Sequence, residues 1–584
     1  MRTTLAALAA ITILGIASPA FAGWGALPTG TLICNAFSDQ HLPVSVPDGI
    51  GGVFVVWVDL RSNGFDLYAQ RIDASGTQRW TTNGVPVCTA TGLQDLPALI
   101  ADGTGGLIVA WEDMRGADFD IYAQRFAANG VRQWTADGVK LCGAIGEQSS
   151  PSIVADGSGG AIVAWTDFRS GAAADVYSQR VNATGLAQWT ANGVAVCTAA
   201  FDQDATSLVS DGASGAIAVW SDLRSGAQHD VYARRITAAG TPQWTTNGVA
   251  LCTAVGEQVS PVVCGDGAGG AIVSWFDLRG PFSDIYAQRV TSAGAAAWAA
   301  NGVAVCTASN NQQNPAILAD GVGGAFVAWE DARTAGIDDL YAQRLGPSGN
   351  ALWLADGVSV CAAPGSQQGV SLVSDARGGM IAGWTDARGA SFDVFAQRLD
   401  ATGTAQWINN GLALCNVSGA QVYPTLSPDG NGGVIALWED GRNGPRDLYA
   451  QRIERNGVLG GPEPAIAALT DVPDDQGGEV VVRWKQSLYE NPVYGVPITG
   501  YRLYRIDGAA STLLFEGPAE GLTEYETNAM TLQDSTPAAP NRTRFRVAAL
   551  AGGVEYLGAP DSVASIDQIA PAACEGLTAR YVGN

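Results

Sequence analysis

The residues in this chain best equipped for chemistry are those of a repeated Trp-x-Asp-x-Arg motif. A carboxylate beside a guanidinium could take part in acid–base chemistry, bind an anion or simply form an ion pair. The motif begins at Trp57, Trp111, Trp165, Trp220, Trp275, Trp329, Trp384 and Trp438, at steps of 54 or 55 residues. Because a catalytic group is needed once, a pair present in every repeat is interpreted as structural. We expect the Asp to accept turn N–H groups and the Arg to pair with the Asp that opens the next strand.

Cysteine is the second residue type that could do chemistry. Eight of the ten cysteines follow the same period, at Cys34, Cys88, Cys142, Cys197, Cys252, Cys306, Cys361 and Cys415, while Cys264 and Cys574 fall outside it. Equivalent positions on packed sheets lie about 10 Å apart, whereas a disulfide needs Cα atoms within roughly 7 Å. The repeated cysteines are therefore predicted to be buried packing residues.

Metal and cofactor sites are not predicted. The chain has no Cys-x-x-Cys pair and only two histidines, so zinc ligation has little support. A repeated calcium site built from pairs such as Asp59 and Asp66 is an alternative, but the neighbouring Arg61 would repel a cation. No catalytic residue is assigned either, since a histidine-based triad has little room with His41 and His229 alone.

The elements around these motifs are short β-strands. Each repeat holds four strand signals separated by turn residues, such as residues 151–155, 160–165, 175–180 and 193–197. Glycine and proline, 74 and 26 residues, are too frequent for a helical bundle. Four-stranded units in series predict an all-β fold with an eight-bladed β-propeller over 23–462. A parallel β-helix, whose coils are shorter, is the alternative.

Strand order predicts how the ring closes. Each repeat ends in a cysteine-bearing fourth strand, but residues 31–34, the first such strand, come before the first complete repeat. In the final repeat the third strand, residues 447–452, is not followed by a cysteine-bearing strand. The N-terminal strand should therefore complete the last blade as its outer strand, leaving no unpaired edge.

Residues 424–430 (PTLSPDG), 438–442 (WEDGR) and 447–449 (DLY) resemble the blade pattern of TolB-like propellers and their secreted bacterial relatives. The resemblance covers about residues 31–460. It implies the propeller fold but does not specify a function, because such propellers serve many ends.

A second domain follows the repeat. Residues 479–484 (EVVVRW), 498–505 (ITGYRLYR) and 543–549 (TRFRVAA) resemble the strands of a fibronectin type III β-sandwich, here placed at 463–566. The family usually carries Tyr where this chain has Thr543, so the tyrosine-corner hydrogen bond is expected to be missing. Residues 567–584 are interpreted as a tail or the start of another module.

The N-terminus and the charge limit where the protein acts. Residues 1–22 contain Arg2, an apolar run and Ala20-Phe21-Ala22, which is typical of a secretory signal cleaved near Ala22. We expect a secreted, periplasmic or cell-surface protein without membrane insertion. The net charge of −24 disfavours nucleic acid as a partner.

Function is expected where the repeat breaks, on the loops of one propeller face. The candidate binding residues are His41, Phe119, Phe201, His229, Phe282, Tyr423 and Arg446. The leading hypothesis is a non-enzymatic binding or scaffold protein that contacts a protein or glycan through this face. The alternatives are a hydrolase that acts on glycans through a carboxylate pair, and a structural component of an extracellular layer.

Repeated glutamines offer one further candidate at this face. A glutamine follows each repeated cysteine by six residues: Gln40, Gln94, Gln148, Gln203, Gln258, Gln312, Gln367 and Gln421. We expect these side chains to bond backbone groups between adjacent blades. A ring of eight amides lining the channel mouth is the functional alternative.

Overall fold

The computed structural model of the protein is built from β-strands. It describes residues 24, 28–62, 64–171, 173–334, 336–461, 464, 466–472, 478–487, 490, 498–508, 510–532, 542–558 and 560–565. The predicted signal segment, the tail 567–584 and Cys574 lie outside these residues. The described part contains 40 strands and no α-helix, which confirms the all-β prediction. No helix in these ranges has the length and apolar character needed to cross a membrane.

Eight four-stranded antiparallel sheets account for residues 31–453. The innermost strands are β2 (Gln40–Pro47), β6 (Gln94–Ala101), β10 (Gln148–Ala155), β14 (Gln203–Ser210), β18 (Gln258–Gly265), β22 (Gln312–Ala319), β26 (Gln367–Ser374) and β30 (Gln421–Pro428). The second strands are β3 (Val53–Asp59), β7 (Leu107–Asp113), β11 (Ala161–Asp167), β15 (Ala216–Asp222), β19 (Ala271–Asp277), β23 (Ala325–Thr334), β27 (Met380–Asp386) and β31 (Val434–Asp440).

The third and outer strands complete each sheet. The third strands are β4 (Asp66–Ile72), β8 (Asp120–Phe126), β12 (Asp175–Val181), β16 (Asp230–Ile236), β20 (Asp284–Val290), β24 (Ile337–Leu345), β28 (Asp393–Leu399) and β32 (Asp447–Ile453). The outer strands are β5 (Val85–Cys88), β9 (Val139–Cys142), β13 (Val194–Cys197), β17 (Val249–Cys252), β21 (Val303–Cys306), β25 (Val358–Cys361), β29 (Leu412–Cys415) and β1 (Thr31–Cys34). Blade 1 is β2–β5, blade 7 is β26–β29, and blade 8 combines β30–β32 with β1.

The two ends of the propeller meet in blade 8. Strand β1 pairs antiparallel with β32, and Leu32 lies opposite Tyr449. Trp24 Nε1 and Arg452 Nη1 both donate to the Ala74 carbonyl of blade 1, at 2.8 and 2.9 Å. The chain's first strand therefore lies where the strand order places it, as the outer strand of the last blade.

The core lies between neighbouring blades. The second strands are almost wholly buried and apolar, as strands covered on both faces should be. Ile33 and Cys34 of β1 share one buried cluster with Trp57 of blade 1 and Leu437 of blade 8. Close packing also restricts the turns: a Cβ on Gly84, which has φ +85°, would lie 2.4 Å from the Trp57 ring. The Trp rings of the motif thus join each blade to its own outer hairpin and to the preceding blade.

Two faces of the propeller follow from this strand order. The turns between second and third strands and the connections from each outer strand to the next innermost strand lie together on one face, called the loop face below. The hairpins between innermost and second strands and the third-to-outer connections lie on the opposite face, called the base.

A β-sandwich follows the propeller. Its three-stranded sheet contains β33 (Ile466–Asp471), β34 (Glu479–Lys485) and β37 (Glu524–Met530), and its five-stranded sheet contains β35 (Gly500–Asp507), β36 (Ala510–Pro518), β38 (Thr543–Ala551), β39 (Val554–Leu557) and β40 (Asp561–Val563). Trp484, Tyr501 and Phe545 share one core. Thr543 Oγ1 accepts the Leu532 N–H at 3.0 Å, so a threonine supplies a backbone hydrogen bond at this position. The fibronectin type III assignment stays a prediction.

Candidate functional site

The Trp-x-Asp-x-Arg motif forms the same closed network in every blade, as blade 3 illustrates. Asp167 is fully buried and accepts hydrogen bonds from Trp165 Nε1 at 2.7 Å and from the Arg169 backbone N–H at 2.9 Å. Arg169 Nη2 lies 2.6 Å from Asp167 Oδ2, and its guanidinium lies 3.6 Å from the centre of the Tyr177 ring. Both oxygens of this carboxylate already accept hydrogen bonds from the protein, so neither is available to bind a ligand.

One detail of that network corrects the sequence prediction. The Arg was expected to pair with the Asp that opens the third strand, Asp175 in blade 3. Instead Arg169 pairs with Asp167, two residues before it. The reason is that the Tyr177 ring holds the guanidinium flat and directs Nη2 toward the Asn192 carbonyl at 2.8 Å.

The repeated cysteines contribute to the same network. Cys142, on the outer strand of blade 2, accepts from Arg169 Nη2 of blade 3 at 3.3 Å. Burial raises the pKa of the Cys142 thiol to about 11, although Arg169 and the Ala144 backbone act in the opposite direction. The nine cysteines that the structure describes are all free and buried. The thiols thus pack and tie one blade to the next.

The repeated glutamines also act locally. Gln40 Nε2 donates to the carbonyls of Ala36 and Ser38, at 3.2 and 2.9 Å, within the connection that precedes it. The tie to the previous blade comes from the backbone instead, where the Gln40 N–H donates to the Arg446 carbonyl at 2.7 Å. All eight side chains are fully buried, so they do not line the channel mouth as an exposed ring.

Two of the predicted loop-face residues come together where blades 8 and 1 meet. His41 Nδ1 lies 3.4 Å and Arg446 Nη1 2.5 Å from the buried Glu439 carboxylate. His41 Nε2 is also 3.7 Å from Asp39. The hydrogen bond with Glu439 raises the pKa of His41. In this cluster the Glu439 carboxylate is paired with both His41 and Arg446.

The other five predicted residues are spread around the loop face. His229 Nδ1 lies 2.7 Å from Glu257 Oε2. Phe201, Phe282 and Tyr423 are exposed, and the Tyr423 N–H donates to Thr385 Oγ1 at 3.0 Å. The Phe119 carbonyl accepts the Gln148 N–H at 2.7 Å. Among the described residues, no contact brings these five together into one site. Their binding role stays a prediction.

A more distinctive position is the residue directly after each repeated Trp. Its side chain varies from blade to blade: Val58, Glu112, Thr166, Ser221, Phe276, Glu330, Thr385 and Glu439. Where it is polar, it can accept a backbone N–H from the innermost strand of the next blade. Glu112 accepts from Ser150 at 3.0 Å, Glu330 from Gly369 at 2.8 Å, and Glu439 from Leu42 at 2.8 Å.

The three glutamates differ in what surrounds them. Burial would raise the pKa of Glu439, but hydrogen bonds from His41, Leu42 and Arg446 hold it below its usual value. The pKa of Glu330 is raised by burial, against hydrogen bonds from Gly369 and Asn314. Burial raises the pKa of Glu112 to about 7, opposed only by the Ser150 N–H.

Two further carboxylates lie near Glu112 and hold its proton more firmly. Their negative charges, on Asp95 and Glu147, raise the Glu112 pKa further. Asp95 lies directly opposite Glu112 across β6 and β7, where side chains on one face have Cβ atoms about 4.5–5.5 Å apart. Glu147 is exposed and Asp95 is half-buried, while Glu112 is buried. A neutral carboxyl beside an ionised one can donate a proton on one side of a reaction and assist on the other.

Sequence reasoning missed this group because it looked for function in loops. The sequence does contain a pattern that could have indicated it. In three of the eight blades a glutamate follows the repeated Trp within an otherwise apolar second strand. Two cavities of about 1330 and 360 Å³ lie at the base rather than at this face. Within the described ranges no three His, Cys, Asp or Glu side chains are grouped as metal ligands would be.

Several solved structures share a distant likeness with this chain. No protein-family model matches the sequence, and neither does any curated protein. An α-L-arabinanase from Penicillium chrysogenum is 12% identical, with a TM-score of 0.32, over 53% of this chain and 94% of that chain. An α-L-arabinofuranosidase from Fusarium graminearum is 9% identical, with a TM-score of 0.30, over 62% and 94%. A protein of unknown function from Dyadobacter fermentans is 10% identical, with a TM-score of 0.33, over 72% and 96%.

These comparisons correct the leading functional hypothesis. A non-enzymatic binding or scaffold protein was expected, whereas the named structures found are glycoside hydrolases, including a family-43 enzyme. The binding hypothesis is wrong by this finding, and the hydrolase alternative agrees better with it. At 9–12% identity the likeness describes the fold alone, so any activity must be argued from the residues of this chain.

Proposed function

We propose that the protein hydrolyses glycosidic bonds at the loop face of blade 2, with Glu112 as the general acid. The observation that carries this proposal is the pKa of Glu112, raised to about 7 by burial beside two further carboxylates. A glycosidase needs one carboxyl that keeps its proton near neutral pH and a second that is ionised. The TolB-like resemblance and the predicted export remain expectations, and together they would place this activity outside the cytoplasm.

The two carboxylates would divide the reaction between them. Protonated Glu112 would donate its proton to the oxygen of the leaving sugar, so that the glycosidic bond breaks without expelling an alkoxide. Asp95, across the strand pair, would activate a water or attack the anomeric carbon, depending on the separation of the two carboxyl groups. Polymeric glycans outside the cell are the substrate class proposed.

The hydrogen bond from the Ser150 N–H to Glu112 offers a competing, purely structural explanation. Glu112→Gln separates the two, since an amide oxygen still accepts that N–H while the acidic proton is lost. We expect the wild-type protein to release reducing ends from at least one member of a neutral polysaccharide panel that includes arabinans and xylans. In Glu112→Gln the kcat should fall about 10²- to 10⁴-fold, with little change in Tm.

Glu330→Gln is the matched control. It changes a buried glutamate at the equivalent position of blade 6, opposite Gln313 rather than a carboxylate, and should keep full activity. Wild-type kcat should decline as pH rises through about 7 because the acid loses its proton. The proposal fails if no polysaccharide is cleaved, or if Glu112→Gln and Glu330→Gln are equally active.

A further inference from the structure

A large cavity lies at the base, between the propeller and the β-sandwich. Its volume is about 1330 Å³. The propeller wall includes Arg377, Arg398 and Arg455, and the sandwich wall includes Arg544 and Arg546. Ligand pockets usually measure about 300–1,000 Å³, so this cavity could hold a ligand larger than a monosaccharide.

The charge of the cavity is opposite to that of the chain. Seven arginines and four acids line it, although the chain as a whole carries a net charge of −24. Each acid is already engaged: Asp73 by Arg79, Asp429 and Glu454 by Arg452, and Glu555 by Arg502. The acids therefore offer little compensation to the remaining arginines.

Four lining arginines form no ion pair with any residue that the structure describes: Arg377, Arg455, Arg544 and Arg546. By contrast, Arg71 and Arg398 bind the buried Asp48 and Asp375 at 2.9 and 2.7 Å. The Nε atoms of Arg455 and Arg546 are buried and have no hydrogen-bond partner among the described residues. A buried donor without an acceptor is costly, because its hydration is lost and not replaced.

The electrostatics agree with that geometry. Burial lowers the pKa of Arg455, and the nearby charges of Arg398 and Arg377 lower it further, against a smaller opposing effect of Asp375. Burial and Arg544 do the same to Arg546. Like charges held together at two places in one cavity destabilise the protein unless an anion joins them.

We propose that this cavity binds an oligoanionic ligand, one that carries at least two phosphate, sulfate or carboxylate groups. One anionic group would lie against Arg377 and Arg455 of the propeller, and a second against Arg544 and Arg546 of the sandwich. Guanidinium groups suit this role because their planar N–H donors match the oxygens of such anions. The proposal does not depend on hydrolysis at the loop face, which is on the other side of the propeller.

The test uses the full chain and three probes: inorganic tripolyphosphate, a sulfated disaccharide and an oligogalacturonate. Isothermal titration at low salt should give binding by at least one of them with a Kd under about 100 μM, and the probe that binds identifies the anionic group. The double variant Arg455→Gln/Arg546→Gln should weaken binding at least about tenfold, since it removes two charge-assisted donors from the two anion positions. Without probe, its Tm should not fall, because two uncompensated charges have been removed.

Arg483→Gln is the matched control, since Arg483 is an exposed sandwich arginine paired with Glu526 and does not line the cavity. It should bind like the wild type. If the double variant does not fold, Arg455→Lys/Arg546→Lys keeps the charge but loses the planar donors, and it should still weaken binding. The proposal is overturned if no probe binds at about 1 mM, or if both double variants bind as well as Arg483→Gln.

Discussion

Two buried carboxylates, one residue apart in equivalent strands, have opposite surroundings. Asp167 ends β11 and is neutralised by Arg169, with the Trp165 N–H completing its hydrogen bonds. Glu112, directly after the corresponding Trp of blade 2, receives one backbone N–H and has two carboxylates as neighbours. The first arrangement occurs in all eight blades, and the second in only one. The repeated residues are therefore those that hold the blades together. Glu112, which departs from the repeat, is the carboxylate whose surroundings leave it able to react.

Breaking the repeated pair should have the largest effect on the molecule. Asp167→Ala leaves Arg169 without its counter-ion in a mostly buried position and the Trp165 Nε1 without its acceptor. We expect a loss of about 3–5 kcal/mol, the usual result of removing one partner of a buried pair. Chemical denaturation followed by tryptophan fluorescence would measure it.

An exposed pair provides the comparison for that measurement. Glu526→Ala removes the partner of Arg483, and both side chains are at least half exposed. A surface pair of this kind contributes about 0–1 kcal/mol, so the denaturation midpoint should scarcely move. Equal losses in the two variants would show that the repeated pair does not hold the blade.

The sequence predicted the repeated framework well and the reactive position poorly. Spacing alone placed Thr31–Cys34 beside Asp447–Ile453, because strand order and the antiparallel pattern leave few alternatives. It placed Arg169 on the wrong carboxylate, since spacing does not give the side-chain direction that the Tyr177 ring imposes. Glu112 was missed because its pKa depends on burial between two blades and on Asp95 across the sheet, which only the fold brings together.

A second prediction uses repeated aspartates whose neighbours differ. The Asp that opens the third strand contacts Ser62, Lys140 or Asn443 in blades 1, 2 and 8. In blades 3, 5 and 7 burial, together with the charge of the Trp-x-Asp-x-Arg aspartate, raises the pKa of Asp175, Asp284 and Asp393 to about 6. The same Asp is thus compensated in some blades and not in others.

The consequence is a stability that rises as pH falls. Because these pKa values lie above the ordinary 3.8, the folded protein binds protons that the unfolded chain has released. Their contribution is fully present below about pH 4 and is lost as pH rises through about 6. The Tm at pH 5 should exceed that at pH 7.5 by a few degrees. The triple variant Asp175→Asn/Asp284→Asn/Asp393→Asn should raise the Tm at pH 7.5 and flatten the profile, and a Tm that falls steadily on acidification would contradict this account.

The smallest effect is expected when the repeated cysteines are exposed to a thiol reagent. They too are potentially reactive groups held in a repeated structural position. A thiol beside a guanidinium is often activated, since the positive charge favours the thiolate. Cys142 lies 3.3 Å from Arg169 Nη2, but burial dominates and raises its pKa to about 11. At pH 8 a thiol-specific chromogenic disulfide should therefore leave the nine described cysteines unmodified in the native protein, and should react with all ten in denaturant. Rapid native labelling at Cys142, mapped by mass spectrometry, would mean that the Arg169 charge outweighs burial and that the repeated network can react.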